Sequence, residues 1–286
     1  LTDPQPAVRR AVLVAGAFEA GLTALVLARL DDDEPEVRAA AIRVLGSLRE
    51  APAVGRLVER LRQGSEEERA AAAEALGRMP GASLQALRPC LDAREHLDVV
   101  LAALAILEQA RSTLFEGELI RLVQAPAARI RRAALRALAN HPSVEAEEAL
   151  VLALTGEEEA LQYDAMEILV QRDSTLALPP MLAILQDGGP MRYHVIRTLG
   201  RLESRAASEP LEHLYAGSPL YEKIEIVSAL VRITPPGIIG FLRARLEEPE
   251  VEIRRVAIYG LARMAGPAEL PLLVNLAQDP DWTIRN

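Results

Sequence analysis

One pattern recurs along this 286-residue chain at an almost constant spacing: an apolar residue, a basic residue, and then a run of small or aliphatic residues. The clearest copy is PEVRAAAIRVLG at residues 35–46, which begins with a proline suited to a helix start and ends with a glycine suited to a helix end. A fixed period in this range marks an array of units that bury their apolar faces against neighbouring units. The first position of the pattern recurs every 29 to 31 residues, at Val8, Val37, Glu68, Val99, Ile130, Leu161, Met191, Glu222, Ile253 and Ile284.

Each period contains two segments of helical apolar periodicity, joined by short stretches of glycine, proline or polar residues. This organisation predicts a helix-turn-helix unit, with a first and a second helix. Prolines near the middle of first helices (Pro179, Pro210 and Pro271) are expected to bend them. The predicted first helices are 53–61, 84–91, 114–123, 144–154, 176–185, 206–214, 236–246 and 267–276. The second helices are predicted to begin near Pro35, Glu66, Leu97, Ala127, Glu158, Pro190, Leu220 and Glu250.

Composition supports an all-α chain and narrows its partners. Half of the residues are apolar but 3% are aromatic, as expected of closely packed helices rich in alanine, leucine and valine. Cys90 has no second cysteine to pair with, so it leaves the compartment open, with the cytoplasm favoured. It lies at an apolar phase of a first helix and is interpreted as a buried structural thiol. The net charge of −9 argues against a nucleic-acid partner. No apolar run approaches the roughly 18 residues of a membrane span, so no membrane contact is expected.

The sequence resembles the HEAT-repeat family, in its short bacterial type of the kind found in phycobilisome lyases. The resemblance rests on a leucine, an acidic turn and a Val-Arg-x-x-Ala segment, as in residues 30–41. It implies an all-α solenoid, a right-handed superhelix of about nine stacked helix-turn-helix repeats. It covers residues 1–286 as one domain. Because both ends fall inside a repeat and residue 1 is not methionine, the chain is expected to be a segment of a longer protein.

In this family an acidic residue of the turn often pairs with the basic position of a neighbouring repeat. Matching acids are clear only at Asp3, Asp32, Glu248 and Asp279, so the resemblance does not imply a continuous ladder of ion pairs. Ser65 and Glu68 are predicted to form a capping box. The basic position itself is expected to have a structural role, and it is occupied by Arg9, Arg38, Arg69, Arg131, Arg192, Lys223, Arg254 and Arg285.

Positions in each second helix are numbered from the first residue of the repeated pattern, such as Val37 or Glu68. This numbering separates the buried side of the helix from the open side. The fifth position is alanine, valine or isoleucine and the ninth is leucine in every complete repeat but the first, so both are predicted to be core. Leu138→Ala or Leu169→Ala should therefore destabilise by roughly 2–5 kcal/mol, whereas Arg136→Ala should cost under about 1 kcal/mol. The third, fourth, seventh and eleventh positions are predicted to be open, and in HEAT-like arrays they line the concave side.

The open positions differ along the chain. In the first half they hold small or aliphatic residues, such as Ala39, Ala40, Ala70, Ala71 and Leu101. In the second half they hold aromatic and charged residues, which are enriched in protein-binding hot spots. The alternative is that these are ordinary solvated side chains. The residues predicted to bind a protein or peptide partner are Tyr163, Asp164, Tyr193, His194, Arg197, Arg201, Ile224 and Tyr259.

No constellation for catalysis, a metal or a cofactor is recognised. The four histidines lie in different repeats at different helical phases, and no phosphate-binding glycine loop is present. The sequence therefore favours a non-catalytic protein-interaction scaffold, as a monomer or in an oligomer that the sequence does not define. The alternatives are a bilin-lyase-like enzyme and a rigid spacer of a membrane-anchored protein. An alkylpurine DNA glycosylase fits poorly, because Trp282 stands alone in an acidic chain.

Overall fold

The computed structural model describes residues 1–15, 23–264 and 274, and within them it contains α-helices and short 3₁₀-helices with no β-strand. The predicted all-α class is confirmed. Two predicted features, the first helix at 267–276 and the repeat at Asp279, Trp282, Ile284 and Arg285, lie outside these ranges. The α-helices are α1 Pro6–Ala15, α2 Thr23–Ala28, α3 Pro35–Leu48, α4 Val54–Gln63, α5 Glu66–Gly77, α6 Pro80–Ser83, α7 Leu97–Gln109, α8 Glu116–Leu122, α9 Ala128–Leu138, α10 Val144–Leu154, α11 Glu159–Gln171, α12 Leu178–Asp187, α13 Arg192–Arg201, α14 Ser208–Tyr215, α15 Leu220–Ile233, α16 Ile238–Ala244 and α17 Val251–Met264.

The helices form two compact units, residues 1–153 and residues 154–286. In the first unit the second helices α1, α3, α5, α7 and α9 each contact the next, and α4 and α8 pair with α5 and α9 as hairpins. In the second unit α13, α15 and α17 contact one another in the same order, and α12, α14 and α16 pair with them. The predicted stacking of helix-turn-helix repeats is confirmed within each unit. The prediction of one continuous solenoid domain stays a prediction.

Pro179 and Pro210 lie at the starts of their helices and not in the middles. A 3₁₀ turn, Thr175–Ala177, precedes α12, and Pro179 is the second residue of that helix. Likewise the turn Arg205–Ala207 precedes α14, whose third residue is Pro210. The predicted bend is therefore wrong in position, because the missing N–H and the ring are tolerated in the first turn. Pro271 lies outside the described residues.

The ninth-position leucines confirm the predicted core. Among them Leu45, Leu138 and Leu169 are fully buried, as are the corresponding leucines of the other described repeats. The predicted open positions of the first unit are partly wrong, because Ala39, Ala40 and Ala71 are also buried. Small side chains at these positions allow neighbouring second helices to approach closely, which removes the alanines from solvent.

Two pairs of second helices share an unusually close contact. A Cβ atom built on Gly46 of α3 would lie 2.5 Å from the Cβ of Ala75 in α5, and one on Gly200 of α13 would lie 2.7 Å from the Cβ of Ala229 in α15. The glycines occupy the tenth position of their repeats and the alanines the eighth position of the next. Each pair thus depends on a residue without a side chain at the point of closest approach.

The same two helix pairs carry buried ion pairs. Arg38 Nε donates to Glu68 Oε1 at 2.6 Å, and Arg192 Nε donates to Glu222 Oε1 at 3.2 Å. Glu68 and Glu222 occupy the first position, which is aliphatic or methionine in the other repeats, and both are at most 2% exposed. Ser65 Oγ caps Glu68 N–H, but the Glu68 carboxylate binds Arg38, so only this half of the predicted capping box is seen.

The basic position has the structural role that was predicted. Arg38 Nη1 donates to the carbonyl oxygens of Asp32 and Asp33, and Arg254 Nη1 donates to those of Glu248 and Pro249. Turn acids act less uniformly than the family pattern implies. Arg9 donates to both carboxylate oxygens of Asp32, at 2.8 and 2.7 Å.

The second unit uses its turn acid differently. Glu248 accepts a hydrogen bond from Tyr215 Oη at 2.9 Å, and Lys223, at the basic position, has its Nζ 5.3 Å from the centre of the Tyr215 ring. Arg245 also stacks on this cluster, with its Cζ 4.2 Å from the centre of the Tyr215 ring and 3.8 Å from that of Phe241. An aromatic cluster thus replaces the Arg–Asp pair found between α1 and the turn before α3.

Candidate partner-binding surface

Four side chains of the second unit form a chain of ring contacts across three successive second helices. The His194 ring meets Tyr163 edge-on at 5.1 Å and Tyr193 at 5.6 Å, and Tyr193 lies 5.9 Å from Tyr221. We call Tyr163, His194, Tyr193 and Tyr221 the aromatic row. Tyr163 is 41% exposed and Tyr221 58%. Edge-to-face geometry at these distances is the favourable arrangement for such rings.

The register explains most of this row. Tyr163 and Tyr193 occupy the third position of α11 and α13, and His194 the fourth position of α13. The two tyrosines are connected through His194, which contacts both of them. Tyr221 was missed, because it directly precedes the first position of its repeat. Tyr221 lies four residues before Glu225, which occupies the open fourth position. Numbering that began one residue earlier would therefore have placed Tyr221 on the open face with Glu225.

Ion pairs flank the row. Arg201 Nη1 of α13 lies 3.3 Å from Glu167 Oε1 of α11, so one of the predicted binding residues is engaged with the preceding helix. Arg232 and Glu225, both of α15, approach to 3.4 Å. Arg197 is exposed on the same side of α13, and Asp164 is half-buried in α11. The row therefore has charges of both signs beside it.

The remaining predicted residues, Ile224 and Tyr259, line a groove between α15 and α17 with a volume of about 530 Å³. The third, seventh and eleventh positions of both helices face this groove, which confirms the predicted open phase for this part of the second unit. We call this feature the α15–α17 groove, and its lining consists of Ile224, Ser228, Val231, Arg232, Glu252, Arg255, Val256, Tyr259 and Arg263.

The described residues contain no group of three or more histidine, cysteine or carboxylate side chains placed to hold a metal ion. His141 is buried and its Nε2 lies 3.2 Å from the carbonyl oxygen of Leu114, far along the chain from His194. Cys90 is fully buried, and burial raises the pKa of its thiol to about 11, which suppresses the nucleophilic thiolate. Over the same ranges, no helix has the length and apolar character that crossing a membrane requires.

The helices define an all-α structure built from repeated helical hairpins. Comparison with known proteins supports this class. A family model described as HEAT repeats matches residues 23–108 and 218–286, together more than half of the chain. The chain belongs to the HEAT-repeat family. The matched ranges leave out residues 109–217, which contain Tyr163, Tyr193 and His194 of the aromatic row. No match was found among curated proteins.

Solved structures share the fold at low sequence identity. YibA from Escherichia coli is 16% identical with a TM-score of 0.53, over 92% of this chain and 98% of that one. A structure of Kap95p binding to RanGDP gives 13% identity and a TM-score of 0.61, over 95% of this chain but 44% of that one. The complex of CpcE and CpcF of phycocyanin lyase from Nostoc sp. PCC7120 gives 19% identity, with 88% and 97% coverage, and a TM-score of 0.43. That last value is too low to favour a lyase.

Proposed function

We propose that this chain is a non-catalytic binding module that holds a protein or peptide partner on the second-helix face of residues 154–264. The observation that carries the proposal is the aromatic row. Tyr163, Tyr193 and His194 occupy predicted open positions, and Tyr163 and Tyr221 expose a large part of their surface. Exposed aromatic side chains in a continuous strip are typical of the centre of a protein-binding surface.

Core packing does not account for the row. The fifth and ninth positions of α11 and α13 already supply the core through Ala165, Leu169, Val195 and Leu199, which are all fully buried. The corresponding third and fourth positions of α3 are alanines, so this kind of helix pair stacks without aromatic residues there. Kap95p, which shares the fold, binds RanGDP, and this precedent supports a protein partner. The bilin-lyase and spacer alternatives stay predictions.

The test is affinity capture from a lysate of the source organism, with the wild-type chain and the Tyr163→Ala/Tyr193→Ala double variant compared side by side. Loss of the two rings should weaken binding of a captured protein by at least about 2 kcal/mol, measured by titration with that purified partner. The matched control is Ala70→Ser. Ala70 is exposed at the same register position in α5, so this change should leave binding intact.

The proposal fails if the tyrosine double variant binds the partner normally while changes on the first unit, at Ala70 or Leu101, abolish binding. Circular dichroism of each variant distinguishes a loss of binding from a loss of folding. The double variant should melt close to the wild-type temperature, because neither tyrosine belongs to the buried core.

A further inference from the structure

The α15–α17 groove combines an apolar floor with a surplus of positive charge. Val231 is buried and Ile224 and Val256 are half-buried, so they form its floor, and Tyr259 stands exposed at the seventh position of α17. Arg232, Arg255 and Arg263 line the same groove and are all exposed. Among the lining residues that the structure describes, Glu252 is the one acidic residue. A cationic rim over an apolar floor on a chain of net charge −9 is a local reversal of the protein's overall charge.

Among the residues that the structure describes, two of the three arginines have no ion-pair partner and can take an external anion. Within residues 1–15, 23–264 and 274, neither Arg255 nor Arg263 has a carboxylate within ion-pair distance, and Arg232 reaches Glu225 at 3.4 Å. Structural arginines elsewhere in the chain are used differently: Arg38 and Arg192 are held by buried glutamates of the next helix. A guanidinium presents a planar fork of donors that matches both oxygens of a carboxylate.

We propose that the α15–α17 groove binds an acidic peptide segment that carries an aliphatic anchor residue. Carboxylates of the segment pair with Arg255 and Arg263, and the anchor covers Ile224, Val231 and Val256. This inference rests on the proposed function and adds the chemistry of the partner.

The groove also adjoins the aromatic row. Tyr221 and Ile224 lie three residues apart on α15, so they share a face of that helix. A peptide that leaves the groove along α15 therefore meets Tyr221 next, and one ligand can use both surfaces. An acidic segment is favoured over nucleic acid because the floor is apolar, whereas a polyanion requires a basic footprint that extends along its backbone.

The probe is a short fluorescein-labelled peptide, acetyl-Glu-Leu-Glu-Glu-Leu-Glu-amide, titrated with the whole chain and followed by fluorescence anisotropy. The control peptide has every glutamate replaced by glutamine. We expect the acidic peptide to bind at least about tenfold more tightly than the amide version, with a difference that shrinks at high salt. The Arg255→Gln/Arg263→Gln variant should lose at least about tenfold in affinity for the acidic peptide.

The matched control is Arg121→Gln, which removes an exposed positive charge from α8 in the first unit and should leave the peptide affinity unchanged. The proposal is overturned if neither peptide binds, if both bind equally, if the arginine double variant binds like wild type, or if a single-stranded oligonucleotide competes as well as the acidic peptide.

The two proposals fail separately. If the tyrosine double variant still binds its protein partner while the arginine variant no longer binds the peptide, the proposal for the α15–α17 groove is supported. The aromatic row is then not a binding surface. If the tyrosine variant loses its partner while the groove does not bind the acidic peptide, the binding module stands and the proposed chemistry of its ligand is wrong.

Discussion

The α3/α5 pair of the first unit and the α13/α15 pair of the second are built alike inside and differ on their open face. Inside, each has a close glycine–alanine approach, Gly46–Ala75 or Gly200–Ala229, and a buried arginine–glutamate pair. On the open side, α3 has Ala39 and Ala40 at the third and fourth positions, where α13 has Tyr193 and His194. The inner residues are therefore shared by the two pairs, whereas the residues at the third and fourth positions differ.

This contrast separates what holds the repeats together from what they present to solvent. The two alanines of α3 are buried, whereas Tyr193 and His194 are half-exposed. The α3/α5 pair stacks with small, buried residues at these positions, so stacking alone does not require large aromatic residues in the equivalent pair. The partner binding proposed above accounts for them, and the changes below test each side of the comparison.

The largest effect should come from the buried ion pairs. Arg38→Ala leaves the Glu68 carboxylate buried with Arg60 Nη1 3.9 Å away, so the variant should lose roughly 3–5 kcal/mol in urea unfolding. The Arg38→Met/Glu68→Leu double variant should recover most of this loss, because aliphatic residues such as Val37 and Val99 occupy the first position in neighbouring repeats.

The equivalent changes in the second unit are Arg192→Ala and Arg192→Met/Glu222→Leu, and they should follow the same order. A single variant as stable as its double counterpart, in either unit, would show that the buried carboxylate does not need its arginine. If the single variant lost stability and the double variant recovered it in one unit only, the two helix pairs would not be stabilised in the same way.

A smaller loss is expected where the helices approach most closely. Gly46→Ala and Gly200→Ala each place a Cβ against the backbone and side chain of the facing alanine, so each should destabilise by about 1–3 kcal/mol. Gly77 has the same register position in α5, but its Cβ would lie 3.9 Å from Ile106 Cγ1. Gly77→Ala should therefore stabilise by up to about 1 kcal/mol. Thermal melts that rank Gly77→Ala with the other two would contradict the packing model.

The ion pair between Arg9 and Asp32 predicts that the stability of the fold decreases at acidic pH. The hydrogen bond from Arg9 lowers the pKa of Asp32 below its usual value, against the opposing effect of burial. Because the folded-state pKa is depressed, the stabilisation is present above about pH 4 and is lost as pH falls through the folded-state pKa. Asp32→Asn should lower stability by about 1.5 kcal/mol at neutral pH and flatten this acid limb. An unchanged acid limb in unfolding curves at several pH values would exclude the pair as its source.

Much of this architecture could be predicted from the 31-residue period, because a helix that stacks on its neighbours must repeat the same buried positions. Leu45 and Leu138 were assigned to the core on that basis and are buried. Glu68 and Glu222 could not be read as ion-pair partners, because a glutamate at an apolar position gives no sign of which arginine lies across the next helix. Tyr221 was missed because the register was counted from the next residue. Burial of Ala39 depends on the distance between helices, which the sequence of one helix does not specify.

The smallest effect is expected from the aromatic row, and it tests the comparison most directly. Tyr163→Ala/Tyr193→Ala should lower the free energy of unfolding by about 1 kcal/mol or less, because it removes edge contacts from a partly exposed surface. Leu169→Ala, in the core of α11, is the internal standard at roughly 2–5 kcal/mol.

The reverse change, Ala39→Tyr, introduces a ring at the position of α3 that corresponds to Tyr193. Ala39 is fully buried, so the larger side chain should destabilise by about 1–3 kcal/mol. If the tyrosine double variant lost as much stability as Leu169→Ala while Ala39→Tyr was tolerated, the aromatic row would be a packing element of the second unit. A small loss in the double variant, together with a larger one for Ala39→Tyr, would leave the rings without a structural role.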